Sequence, residues 1–399
     1  MSAPLDAGLW LALNAGSSSI KLAIYRLSHH ELTPVARGHV DLRRQPLRLL
    51  LAHGEQHSEL PLEAPVTESL DEVLEALLAQ LEAHESLGEL AGAGHRVVHG
   101  GLHFTGPARV DDAVLAELEA LVPLAPLHQG HSLKLVRALR RQRPALAQTV
   151  SFDTAFHTSQ SDLVRRFALP RALHDQGVRR YGFHGLSYSY IAAELARRHP
   201  QLASGRVVAA HLGSGASLCA MQGGRSVDSS MGFSTLDGVP MATRSGALDA
   251  GVVLYLQRAQ GLSTAEVEDL LYHRSGLLGV SGLSADIRTL EASPEPAARE
   301  ALELFALRCA GEVGRLATSL QGLDALVFTA GIGEHDARLR AMVCSRLAWL
   351  GLELDEAANL AHAERISRED SGVAVHVIPT DEERVIAEQA RALLARQTA

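Results

Sequence analysis

The sequence predicts an α/β fold built from two duplicated domains, and three observations carry the prediction. Apolar runs of strand length alternate with helical patterns along the chain, the mark of layered sheets and helices. The chain has 399 residues, too many for one ordinary domain and suited to two of roughly 200. Two segments about half a chain apart share one design. LALNAGSSSIKLAIY (11–25) and AAHLGSGASLCAM (209–221) both read strand, glycine-serine turn, strand, with Gly16 over Gly213 and Ser17 over Ser214. Duplicated domains that each present a phosphate-sized turn are expected to leave a cleft between them.

In chain order, residues 9–13 make the first apolar strand. They have neither the basic start nor the length of a signal peptide, and no apolar run in the chain reaches the roughly 18 residues of a membrane span. Residues 28–65 lack helical periodicity and predict β-hairpins. Residues 69–84 predict a helix with Leu70, Val73, Leu74, Leu77, Leu78 and Leu81 on one face and a Ser69–Glu72 capping box. Residues 112–122 and 132–142 predict two more helices, and 148–152 a buried strand that runs into Asp153. A strand from 206 opens the second half. Then come a long helix over 297–321, a strand over 324–329, a glycine turn, and a helix from about 336. A strand over 373–379 and a helix over 381–396 close the chain. The expected domains are 1–153 completed by 384–399, and 154–383, with Asp153 and Glu382 near the crossings.

Composition excludes several classes. Hydrophobic residues make up 46% but aromatics only 4%, so the cores rest on Leu, Val and Ala. A formal charge of −9 with no basic stripe argues against a nucleic-acid surface; the densest basic run, 137–143, reads as a solvated helix face. Cys219, Cys309 and Cys344 are too scattered for a zinc or disulfide framework, which fits a reducing cytoplasm. His95, His99 and His103 have metal-helix spacing, but Gly100 and Gly101 make a helix there implausible, so zinc is discounted.

The chemistry-bearing residues lie in turns and at strand ends. Asn14-Ala15-Gly16-Ser17-Ser18-Ser19-Ile20-Lys21 suits an anion: Gly16 allows close backbone approach, the serines add donors, and Lys21 adds a charge. Asn14 offers a neutral oxygen to a cation or its water shell. The turn leads into a strand, so it is neither Walker A nor the dinucleotide fingerprint, and a plain hairpin turn would look much the same. Gly331-Ile332-Gly333-Glu334-His335 sits between a strand and a helix, where α/β folds bind nucleotides, although an ordinary turn fits there too. Arg96, among apolar residues at a strand end, suits either a bidentate carboxylate clamp or a structural salt bridge. Asp153, His184 and Arg244 are polar residues at loop positions, hence functional candidates. Thr380 and Glu383 read as a capping box, leaving Glu382 to point elsewhere. No Gly-x-Ser-x-Gly elbow supports a serine hydrolase.

Taken together, NAGSSSIK, GHRVVHGG, PLHQGHS, SFDTAFH, RRYGFHG, HLGSGAS, DSSMGFSTLDGVPMATRSG, SADIR, AGIGEH and IPTDEE resemble the acetate kinase family, in family order from residue 14 to 383. The resemblance implies two actin-like (ribonuclease H-like) domains and Mg²⁺-dependent phosphoryl transfer between ATP and acetate, giving ADP and acetyl phosphate; Mn²⁺ is an alternative cation. It implies a homodimer. It also implies roles. Asn14 and Glu382 match the metal positions and Lys21 a residue near the phosphates. Arg96 matches the carboxylate-binding arginine, with Val98, Leu127 and Thr235 at the acyl pocket. Asp153, His184 and Arg244 match the catalytic positions. His211-Leu212-Gly213-Ser214-Gly215, Asp286-Ile287-Arg288 and Gly331 to His335 match nucleotide-binding segments. Asp153 is expected to orient the metal or a charged partner, because acetate at neutral pH has no proton to remove. Ser214 and His335 stand where the family often has asparagine, and bear on base or ribose contacts. Thr235 replaces a proline and bears on acetate against propionate, whereas Ala242 and Ala330 replace glycines and are expected to be harmless.

Two rival readings stand beside this one. A propionate or other short-chain acyl kinase would share the fold and differ at the acyl pocket. A nucleotide-switched chaperone or filament ATPase would keep the two turns but have no need of Arg96, and would need a further domain or surface.

Overall fold

The apolar run at 9–13 opens strand β1 (Leu9–Ala15), in which every residue is buried; a strand covered on both faces belongs inside a sheet. The computed structural model describes residues 8–16, 19–28, 31–67, 70–83 and 89–395. Its chain divides into two compact units, Met1–Phe156 with Asp381–Ala399, and His157–Thr380.

In the first unit β1 is followed by β2 (Ser19–Ser28), β3 (Glu31–Asp41), β4 (Arg48–His53), β5 (Gln56–Pro61), β6 (Leu90–Val97), β7 (Ala108–Arg109) and β8 (Gln148–Phe152). They form one sheet in the order β5-β4-β3-β2-β1-β6-β8-β7, and β3 to β5 are the hairpins expected over 28–65. Alternate residues of β1 face opposite ways. Leu9, Leu11 and Leu13 pack with Leu74, Leu77 and Leu139 from the helices Asp71–Ala83 and Pro126–Gln142. Trp10 faces the final helix, Glu382–Ala395.

Two glycines let that last helix approach. A Cβ on Gly92 would lie 2.7 Å from the Trp10 ring and 3.2 Å from Leu394. One on Gly94 would lie 2.6 Å from Ile386 Cγ2 and 3.0 Å from its carbonyl oxygen. The basic run at 137–143 is a solvated face as expected, with Arg137, Arg140, Arg141 and Arg143 paired to Glu119, Asp112, Asp71 and Glu82. Ser69 lies outside the described residues; Glu72 accepts instead from the Thr67 hydroxyl at 2.5 Å.

The second unit holds β9 (Arg206–Leu212), β10 (Ala216–Gln222), β11 (Arg225–Ser229), β12 (Ala325–Thr329) and β13 (Ala374–Val377), in the order β11-β10-β9-β12-β13. Its pairing is antiparallel across β11, β10 and β9 and parallel across β9, β12 and β13. The run β3-β2-β1-β6-β8 has the same order and the same senses. The echo heard in the sequence is therefore a repeated sheet. The turns differ by one residue: β1 and β2 close on Ala15↔Ile20, β9 and β10 on Leu212↔Ala216. The long helix Pro296–Leu320 covers β9 to β11 with Phe305, Cys309, Val313 and Leu316 among its buried residues.

The close approach at Gly94 yields a prediction. Gly94→Ala puts a methyl where Ile386 sits and lowers stability by about 1–3 kcal/mol in urea unfolding, the usual cost of overpacking; Gly94→Val costs more.

Candidate active site

Strands β1, β6 and β8 run parallel to one another, so their carboxyl ends share one edge. Asn14 lies near the end of β1, Arg96 near the end of β6, and Asp153 directly after β8. The three form one network. Arg96 grips Asp153 bidentately, Nε to Oδ1 at 2.9 Å and Nη2 to Oδ2 at 2.6 Å, and its Nη1 donates to Asn14 Oδ1 at 3.0 Å. The Asn14 amide donates in turn to Glu382 and Glu383, each at 2.9 Å. Of the two readings of Arg96 the structure shows the salt bridge: the carboxylate it holds is Asp153. A guanidinium has five N–H groups, and these contacts engage three of them.

Asp153 is only 1% exposed. Burial works against the charge on Arg96, but the carboxylates of Asp153, Glu382 and Glu383 outweigh it and hold the guanidinium above its ordinary pKa. Burial and the neighbouring Glu382 push the Glu383 carboxyl up. Lys21 is paired with Asn14 across β1 and β2 and is exposed. Val98 is buried, and Leu127 is half-buried in the first turn of Pro126–Gln142. Ser17 and Ser18 lie outside the described residues.

The expected capping box is corrected. The cap of the last helix is Asp381, whose carboxylate accepts from the Arg384 N–H at 3.0 Å and is held by Tyr25 and Arg37. Glu383 is thereby released to join Glu382 at Asn14. Two carboxylates gathered in this way suit a hard, oxygen-seeking divalent cation, while the Asn14 oxygen is turned to Arg96. His95 lies in β6 rather than on a helix, its Nε2 2.9 Å from Gln148 Oε1; burial lowers its pKa to about 4, as it does that of His99.

In the second unit His184 caps the helix Gly185–Arg198 with φ +56°. Its Nδ1 lies 2.8 Å from Ser217 Oγ, which Tyr188 also meets at 2.5 Å. The ring stacks on His211, at the end of β9, with centroids 4.3 Å apart and planes 16° apart. His211 Nδ1 is 2.8 Å from Ser187 Oγ. A Cβ on Gly215 would stand 3.4 Å from His184 Nε2 and 3.8 Å from Arg244 Nη1. The imidazole and the guanidinium therefore converge beside this turn. Arg244 Nη1 donates to the carbonyl of the buried Thr235 at 3.1 Å. Ser187, Tyr188 and Ser217 were not singled out in the sequence, although all lie in or beside GFHG and GSGAS.

The remaining segments are also in the second unit. Gly213 and Gly215 close the β9–β10 turn through a backbone hydrogen bond of 3.0 Å, and the Ser214 carbonyl accepts from Ala242. Residues 331–335 are not an open turn but belong to a short helix, Ala330–His335. Its first residue, Ala330, has φ +64°, a conformation that favours glycine; the expectation that this alanine is harmless is thus corrected. Arg340, fully buried, fastens the helix by donating to the carbonyls of Gly333 and Glu334 at 2.9 and 2.8 Å, and to Asn359. Glu334 accepts from the Thr380 N–H at 3.1 Å, while the His335 side chain is 78% exposed. Asp286 caps the helix Ile287–Ala292 and pairs with Arg288, on an open depression of about 720 Å³.

Comparison with known proteins accounts for both units. The sequence matches the acetokinase family over residues 9–388. The chain belongs to the acetokinase family. An acetate kinase from Methylocella silvestris is 47% identical over 98% of each chain. Two solved structures share the fold at 34% identity. One is a propionate kinase from Francisella tularensis (TM-score 0.89, 96% of this chain and 98% of that one). The other is an acetate kinase from Porphyromonas gingivalis (TM-score 0.85, 97% and 100%). The fold of this acetokinase chain is thus the duplicated actin-like one expected from the sequence. Membership of the family also removes the chaperone or filament reading.

Two predictions come from the second unit of this acetokinase chain. Arg340→Met strands the carbonyls of Gly333, Glu334 and Asn359 and costs about 3 kcal/mol or more in unfolding experiments. Ala330→Gly relieves a left-handed alanine and, after the added chain entropy of glycine, raises stability by about 0.5–1 kcal/mol in thermal melts.

Proposed function

We propose that this chain is an acetate kinase that transfers the γ-phosphoryl group of ATP directly, in line and reversibly, to acetate. The observation that carries the proposal is the buried Arg96–Asp153–Asn14 network, in a member of the acetokinase family. Among the described residues two further N–H groups of Arg96 remain for a substrate carboxylate; Val98 and Leu127 in the first unit, and separately Thr235 in the second, are assigned to the acyl group. Acetate is ionised at neutral pH, so the reaction needs fixed positive charge and no base. Asp153 has both oxygens on Arg96, which supports a positioning role.

His184 and Arg244 are assigned to the charge that builds on the transferred group. Lys21, His211 to Gly215, Asp286 to Arg288 and Gly331 to His335 are assigned to the nucleotide. Asn14 and Glu382, with Glu383 beside them, would hold Mg²⁺ or Mn²⁺; a bound divalent cation neutralises phosphoryl oxygens. The helix Ala250–Arg258 buries none of its residues and leaves Val252, Leu254 and Tyr255 exposed, which supports a homodimer through this face. No helix among the described residues is long and apolar enough to cross a membrane. Three buried free cysteines fit a reducing cytoplasm.

A propionate kinase is the second reading, favoured by Thr235 at the acyl pocket and by the solved propionate kinase of the same fold. One methylene is worth only about 1–3 kcal/mol, so both acids are expected to react.

The test is acyl hydroxamate formation from ATP, Mg²⁺ and acetate, propionate or butyrate. Acetate gives the fastest product, and Arg96→Ala lowers its rate by about 10²–10³, with Arg96→Lys recovering only part. Faster turnover of propionate would establish the second reading. ATP hydrolysis without acyl phosphate from any acid would refute both.

A further inference from the structure

The second unit holds a cluster that phosphoryl transfer does not use. His199 follows the last turn of the helix Gly185–Arg198, His376 lies in β13, and Glu364 comes from the segment before that strand. One ring nitrogen of each imidazole and one Glu364 oxygen lie within 4.8 Å of one another. It is the one such His, Cys and carboxylate group among the described residues. His199 Nε2 is 2.6 Å from Glu364 Oε1, and the two imidazole centroids are 4.7 Å apart.

We propose that His199, Glu364 and His376 form a binding site for a divalent transition-metal ion of the zinc type, separate from the Mg²⁺-dependent chemistry.

Four features support this. The donor set, two imidazoles and a carboxylate, is one that zinc and its neighbours take, and that Mg²⁺, which prefers oxygen alone, does not. His376 is 3% exposed, and its Nδ1 is buried without a hydrogen-bond partner among the described residues; a buried polar atom left unpaired needs an explanation. Arg198 bonds the other oxygen of Glu364 and so fixes the carboxylate from behind. His199 and Glu364 are partly exposed, at 28% and 36%, so water can reach a fourth position.

The geometry needs only a small adjustment. Ligand atoms around a tetrahedral zinc stand about 3.4 Å apart, so the 2.6 Å His199–Glu364 contact opens slightly and the wider pairs close. The three ligands tie a helix end to β13 within one unit, so occupancy should stabilise that unit.

The test uses the full chain stripped of metal. Zn²⁺ titrated by calorimetry in the absence of nucleotide is expected to bind at one tight site and to raise the Tm, with Mg²⁺ doing neither. His199→Gln and Glu364→Gln, both at partly exposed positions, each weaken that site at least about tenfold and remove the Tm rise. The double variant Asn14→Ala/Glu382→Gln keeps both, which separates this site from the proposed Mg²⁺ position. Failure of the wild-type chain to bind Zn²⁺ tightly, or unchanged binding in both single variants, overturns the proposal.

Discussion

The first unit depends on one buried ion pair. A guanidinium at the inner end of a strand cannot be left uncompensated, because an isolated buried charge costs several kcal/mol. Asp153 supplies the partner from the end of the neighbouring parallel strand, and Asn14 completes it from the strand on the other side. The amide of Asn14 then works in two directions, its oxygen toward Arg96 and its nitrogen toward Glu382 and Glu383. The last helix has to begin at this edge for its carboxylates to arrive. Gly92 and Gly94 give it room, and Asp381, held by Tyr25 and Arg37, sets where it starts.

The second unit repeats the sheet but not the chemistry. His211 stands two residues before Gly213 as Asn14 stands two before Gly16. Where Asn14 joins an ionic network, His211 stacks on His184, and each ring is held by a serine. Duplication has kept the frame, a strand end followed by a glycine turn, and has changed the side chains set on it. A repeated fold thereby carries two strand ends of different chemistry.

Much of this was legible in the sequence. The α/β layering follows from the alternation of apolar runs and helices, and the duplicated hairpin gave away the repeat. Arg96, Asp153 and Asn14 stood out as polar residues at strand ends, and the structure joins them. What escaped notice was tertiary. Thr380 and Glu383 have capping-box spacing, yet Asp381 wins the cap because Tyr25 and Arg37, far away in the chain, hold it there. Arg340 reads as one charged residue on a short helix, but it is wholly buried because carbonyls of two other segments converge on it. Ala330 carries no local sign of its left-handed backbone; only the turn from β12 into the next helix imposes it. Periodicity reports the face a segment buries and is silent about distant partners.

The Arg96–Asp153 pair also bears on the kind of acceptor this chain can use. A base must take up a proton, and Asp153 could do so only by giving up the negative charge that balances Arg96. The bidentate contact would then weaken and leave the guanidinium poorly compensated in a buried place. An alcohol acceptor requires that proton transfer. A carboxylate acceptor, already ionised at neutral pH, requires none. Positioning and proton abstraction are therefore competing uses of one side chain, and the geometry around Asp153 favours the chemistry in which only the first is needed.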